Sequence, residues 1–137
     1  MEPAYGYVEK LFASLGHQDP TIRRRSVWLL GKMRVKAAVL PLIQCLYDNA
    51  DDPYILADIA QAPGEIGDAR AVTHLVSLLH NSFLPARLAA AEALGKLGGS
   101  RAREAITAAL TDRNQVVRNA AAEALHKLDF KKSLLDF

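Results

Sequence analysis

Four histidines, a single cysteine and one acidic run are the side chains of this 137-residue chain suited by type to metal binding or nucleophilic attack. Residues six apart on a helix point about 120° away from one another, so His74 and His80 lie on different sides of it, and His17 and His126 are remote from both. Cys45 alone forms neither an internal disulfide nor a cysteine zinc cage. It falls on the apolar side of its segment beside Leu42 and Leu46 and reads as buried packing. The turn Asp48-Asn49-Ala50-Asp51-Asp52 lacks the long loop and closing Glu of a calcium site, and helix capping and solvation account for it. Neither a phosphate-cradling glycine loop nor a nucleophile elbow occurs. No catalytic, cofactor-binding or metal residue is assigned, no cofactor is expected, and an enzymatic role is not expected. What remains is binding chemistry: Arg24, Trp28 and Lys32 recur every fourth residue, and Trp and Arg dominate binding hot spots.

The elements that position these residues are helices. Half the chain is apolar, and Ala and Leu outnumber the β-branched residues that lose side-chain freedom in helices. Sliding the chain on itself by 31 residues lays Val117-Arg118 through Leu128 over Ala86-Arg87 through Leu97. A further 31 reaches Ile55-Leu56 through Gly67, and another 33 reaches Ile22-Arg23 through Met33, the extra two residues falling in the Asp48 to Asp52 turn. Apolar-periodic segments precede each copy, from Tyr7 to Leu15, Ala37 to Leu46, Ala69 to Leu79 and Arg101 to Leu110, giving four helical hairpins. Asp19-Pro20 and Asp52-Pro53 supply a capping carboxylate ahead of a proline, and Ser82 and Asn114 are the expected caps of the other second helices. Gly16, Gly31, Gly67 and Gly98-Gly99 are expected to stop helices in the left-handed conformation.

The unit resembles the HEAT-like repeat named after phycobilisome (PBS) lyases. Gly64-Glu65-Ile66-Gly67-Asp68-Ala69-Arg70-Ala71-Val72 and Glu92-Ala93-Leu94-Gly95-Lys96-Leu97-Gly98 carry the likeness. The resemblance implies an all-α fold, an α-solenoid of about four HEAT-like hairpins in a right-handed superhelix. One domain is expected over 1–137, with repeats at 5–34, 35–67, 68–98 and 99–129 and a C-terminal stub at 130–137. Because a fold does not fix a function, the resemblance leaves lyases, adaptors, hydroxylases and scaffolds open. No histidine here is followed by Glu, so the iron-binding pattern of the HEAT-repeat hydroxylases is missing. The family arginine stands at Arg23, Arg87 and Arg118, whereas the second repeat has Leu56, and Pro63 replaces the Leu of the other copies. Proline removes a backbone donor and crowds the carbonyl of Ile59, which predicts a kink or early end around Ala62 to Gly64.

On a helical wheel, Ile22, Ser26, Leu29, Leu30 and Met33 fall on the expected core side of the first repeat's second helix, opposite Thr21, Arg24, Arg25, Trp28 and Lys32. Trp28 aligns with Gln61, Glu92 and Glu123 in the other repeats, all polar, which marks the outward face. The expected partner-binding set is Arg24, Arg25, Trp28 and Lys32, continued by Gln61, Glu92, Lys96, Glu123 and Lys127. The alternative is that the N-terminal helix or a neighbouring repeat folds over Trp28.

Residues 21–36 carry six basic side chains and no acid, and residues 47–68 carry six acids and no base. Adjacent repeats either neutralise one another or form a dipolar groove that orients a partner. The segment from Phe130 to Phe137 reads as the start of an uncompleted hairpin that caps the last repeat or reaches into a partner. Tyr5 and Tyr7 are expected to pack on Leu11 and Phe12.

The function expected is a non-catalytic scaffold, adaptor or assembly factor that binds another protein on the second-helix face. The resemblance supplies the alternative, a bilin (phycobilisome) lyase subunit or related chromophore-handling protein with a phycobiliprotein or a larger complex subunit as partner. Nucleic acid is not an expected partner, because the acidic second repeat interrupts any basic stripe. No apolar run approaches a membrane span and no signal peptide is evident, so a cytoplasmic location is expected.

Overall fold

A computed structural model describes the backbone of residues 3–135 and the side chains of residues 6–135. Met1, Glu2, the side chains of Pro3, Ala4 and Tyr5, and Asp136 and Phe137 lie outside the described residues. The chain forms α1 (Pro3–Ser14), α2 (Pro20–Lys32), α3 (Val39–Asp48), α4 (Pro53–Ile66), α5 (Val72–Leu78), α6 (Leu84–Leu97), α7 (Ser100–Ala109) and α8 (Gln115–Leu135). Short 3₁₀ turns, Lys36–Ala38 and Ala69–Ala71, lead into α3 and α5. The architecture is an all-α solenoid of helical hairpins. No helix among the described residues is long and apolar enough to cross a membrane.

The most extensive contacts run along the second helices, from α2 to α4 to α6 to α8. Glycine makes this layer possible. A Cβ built on Gly31 would lie 3.0 Å from the Ala62 backbone, on Gly64 3.1 Å from the Ala93 backbone, and on Gly95 2.8 Å from the Ala124 side chain. Each second helix thus presses a glycine against the alanine of the next. At the corresponding place in α8 stands His126. Two apolar clusters fill the layer between first and second helices, one around Leu30, Leu42, Ile55 and Ile59, the other around Leu75, Leu94, Ile106 and Ala121. Burying each Leu or Ile contributes about 1.5–3 kcal/mol, so these clusters outweigh the surface ion pairs.

The helix ends follow local chemistry. Asp19 accepts from the Thr21 N–H at 2.9 Å, Asp52 from the Tyr54 and Ile55 N–H groups at 3.1 and 3.3 Å, and Asn114 from the Val116 N–H at 2.8 Å. Ser82 does not cap α6; the Asn81 side chain accepts from the Phe83 N–H at 2.9 Å, and the helix starts one residue later, with Pro85 in its first turn. Gly67, Gly98 and Gly99 have φ of 83°, 70° and 92°, the left-handed side that L residues avoid. Gly31 is inside α2 and serves packing instead, while tight i to i+3 bonds, Leu15 N–H to Phe12 and His17 N–H to Ser14, close α1 without a left-handed Gly16. In the first repeat the left-handed position belongs to Arg34, φ 54°, aligned with Gly67 and Gly98.

Two further expectations are corrected. Pro63 does not end α4, which runs on to Ile66; it falls in the last turn, where the Gly67 N–H still reaches the Pro63 carbonyl at 2.8 Å. Residues 130–135 are no new hairpin but the continuation of α8, and Phe130, Leu134 and Leu135 on it are exposed. Of the residues placed on the core side of α2, Ser26 and Leu30 are buried, Leu29 is half-buried, and Ile22 and Met33 are exposed. Val27 and Gly31, both buried, take their place because α4 packs against that side of α2.

Candidate functional site: the second-helix face

The nine side chains singled out for partner binding are all exposed on the second helices. Trp28 is 51% exposed, and no helix among the described residues folds over it. Lys32 Nζ stands 5.8 Å from the centre of the Trp28 ring, and the Arg24 guanidinium stands 5.5 Å from the Tyr54 ring. Thr21, Arg24, Arg25, Trp28 and Asp58 line an open depression of about 350 Å³ at the α2–α4 seam. Gln61 joins Trp28 and Lys32 along the same seam.

At the other end of the face, Glu92, Lys96, Glu123 and Lys127, with Leu88 and Val116, line a second groove of about 450 Å³ between α6 and α8. The two grooves are separate, so the nine residues form one surface and no single cavity. Glu123 and Lys127 pair at 3.2 Å within α8, whereas Glu92 has no ion-pair partner among the described residues.

Oppositely charged stretches meet across the seams. Arg24 Nε donates to Asp58 Oδ2 at 2.6 Å, and this hydrogen bond holds the guanidinium pKa above its ordinary value. Glu65 Oε1 accepts from Lys96 Nζ at 3.0 Å and from Lys32 Nζ at 3.1 Å, tying α2, α4 and α6 together. Those two hydrogen bonds, Lys96 first, hold the Glu65 carboxyl below the usual range against the opposing effect of burial. Neutralisation between repeats therefore runs through Asp58 and Glu65; Asp52 caps α4 and Asp68 pairs with Arg70 in its own turn.

Sequence reasoning passed over three members of this surface: Tyr54, Asp58 and Glu65. The repeat offset of 33 was the available signal, since it places them at the positions of Thr21, Arg25 and Lys32. The remaining candidates do not converge. His17 Nδ1 accepts from the Asp19 N–H at 2.9 Å, Tyr47 Oη and His74 Nδ1 lie 3.0 Å apart across α3 and α5, and burial pushes the Cys45 thiol pKa up.

Residues 8–85 and 78–134 match the family model described as HEAT repeats. The chain belongs to the HEAT-repeat family. Within it, the sequence is 36% identical over 91 residues to phycocyanobilin lyase subunit alpha of Nostoc sp. (strain PCC 7120 / SAG 25.82 / UTEX 2576), a match covering 61% of this chain and 33% of that protein. This HEAT-repeat chain thus matches about a third of the length of that relative. The complex of CpcE and CpcF of phycocyanin lyase from the same Nostoc strain superposes with a TM-score of 0.65 at 26% identity, covering 88% of this chain and 64% of that one. Human deoxyhypusine hydroxylase, in complex with glycerol, superposes with a TM-score of 0.75 at 24% identity over 90% of this chain and 43% of that one, a likeness of fold alone.

Proposed function

We propose that this HEAT-repeat chain is a non-catalytic scaffold that binds a partner protein on its second-helix face, anchored at Trp28. The carrying observation is that its one tryptophan is half exposed at the seam, beside Arg24, Arg25 and Lys32, where the other repeats have Gln61, Glu92 and Glu123. A rigid aromatic flanked by cations supplies contact area at little entropic cost, which is why Trp and Arg dominate hot spots. The polar groove at Glu92, Lys96, Glu123 and Lys127 extends the surface and sets the partner's orientation.

A second reading is a subunit of a bilin lyase or a related chromophore-handling protein whose partner is a phycobiliprotein. The 36% identity to a phycocyanobilin lyase subunit over 91 residues favours it. The two readings separate in one experiment: affinity capture from native lysate with wild type beside Trp28→Ala, followed by mass spectrometry and an absorbance spectrum of the eluate. On the scaffold reading a colourless partner is captured and Trp28→Ala weakens it by at least about 30-fold, a hot-spot loss of about 2 kcal/mol, with the helical signal unchanged. Partners that bind both forms alike would remove Trp28 from the site, and a bilin spectrum in the eluate would put the lyase reading first.

A further inference from the structure

The first repeat carries a stacking surface that no helix among the described residues covers. In α4, α6 and α8 the side facing the preceding second helix is formed by Ile55, Ala62 and Ile66, by Ala86, Ala93 and Leu97, and by Val117, Ala124 and Leu128. The first two of each set are at most 6% exposed. The corresponding residues of α2 are Ile22, Leu29 and Met33; Leu29 is half-buried, and Ile22 and Met33 are 37% and 40% exposed among the described residues. An apolar stripe at stacking spacing is thus left open.

Its charges identify what it accepts. At the α2–α4 seam the residues turned toward the preceding helix are Asp58 and Glu65, and they receive Arg24 and Lys32 from it. The residues of α2 at those two places are Arg25 and Lys32, both basic, so the seam's polarity is inverted on the open side. Glu65 serves neighbours on both sides at once, which shows that a group at this place reaches two helices. A second copy does not fit head to tail. Its α8 would have to press His126 where α2, α4 and α6 press glycine, and the side chains on that helix are not acidic at the required places, being Asn119 and Lys127.

We infer that the Ile22–Leu29–Met33 stripe of α2 docks an amphipathic helix of a partner protein that carries acidic side chains about two turns apart, facing Arg25 and Lys32. Leu29 stands where the later repeats have alanine, so this helix packs at a wider spacing than the glycine-on-alanine seams within the chain. The apolar stripe is distinct from Trp28, but Arg25 and Lys32 also belong to the second-helix face proposed above, so Leu29→Glu and Trp28→Ala are the variants that tell the two readings apart.

The test uses the whole chain and two fluorescein-labelled synthetic peptides of about 18 residues, long enough to form a helix. They share an Ala/Leu stripe and differ only in bearing Glu or Lys at two positions eight apart beside it. Anisotropy titration is expected to show the Glu peptide binding at least about tenfold more tightly than the Lys peptide, with the difference shrinking as salt rises. Leu29→Glu abolishes binding, and R25E/K32E reverses the peptide preference, a gain that a misfolded chain would not give. Trp28→Ala changes the affinity by no more than about threefold, since that residue belongs to the other surface. Absent or charge-blind peptide binding, or loss on Trp28→Ala with Leu29→Glu silent, overturns the inference. So does a dimer seen by sedimentation velocity and lost in Leu29→Glu, which would give the stripe to a second copy.

Discussion

Arg23 and Arg87 occupy one place in the first and third repeats, and their surroundings differ by one acid. Each donates to the carbonyls six and five residues upstream, His17 and Gln18 for Arg23, Asn81 and Ser82 for Arg87. Arg87, 3% exposed, also donates to both oxygens of Asp112 in the next turn, at 3.0 and 3.3 Å. Burial raises the Asp112 pKa, yet the Asn114 N–H and the Arg87 guanidinium together hold it below the usual range. The place of Asp112, two residues ahead of the cap, is Ala50 at the first junction, and Arg23 Nε is buried there without a partner among the described residues. The first repeat departs elsewhere too: Arg34 for glycine at φ 54°, Leu29 for alanine, Trp28 for a polar residue. Its stacking rules lapse where binding is proposed, as expected when a surface serves a partner in place of a neighbouring repeat.

The widest gap between the two repeats is expected at these arginines. Arg87→Met strands Asp112 in a largely buried site, and urea unfolding should show a loss of about 3–5 kcal/mol. Arg23→Met gives up two hydrogen bonds to carbonyls and no buried ion pair, for a loss of about 1–2 kcal/mol. Equal losses would mean that Asp112 adds nothing and that the two junctions are energetically alike.

A smaller effect of opposite sign tests the strained turn. Arg34→Gly relieves a left-handed residue whose cost is about 1–2 kcal/mol, while the glycine adds freedom to the unfolded chain. The net expectation is a gain of about 0.5–1 kcal/mol, read as an upward shift in melting temperature. A loss instead would show that the Arg34 side chain contributes more than its backbone costs.

The periodicity of 31 to 33 residues made the solenoid legible, because each copy repeats the same apolar and small positions. The exposed face was legible for the same reason: Trp28 could be compared with Gln61, Glu92 and Glu123. What escaped depends on a neighbour and not on a helix alone. A single wheel put Ile22 and Met33 in the core, since they are apolar and core-like by position; their exposure follows from no helix among the described residues covering that side. Gly31 looked like a stop signal from its place near the end of α2, whereas its role is set by Ala62 on another helix. Pro63 looked like a breaker, but α4 runs on past it to Ile66, and the Gly67 N–H bonds the Pro63 carbonyl at 2.8 Å.

The smallest expected effect concerns Glu65, the acid that joins the divergent first repeat to the two that follow it. Its folded pKa lies below the ordinary glutamate value of 4.5, so the ionised carboxylate favours the folded chain at neutral pH. That contribution is fully present above the ordinary value and is lost as pH falls through the lower folded one. With its lysine partners about half exposed, solvent screening limits the bridge to about 1 kcal/mol or less. Urea unfolding of wild type and Glu65→Gln across the acidic range should therefore show the two curves apart at neutral pH and converging on acidification. A wild-type advantage that persists in acid would assign Glu65 a packing role and leave Arg24–Asp58 as the ion pair that acts across the α2–α4 seam.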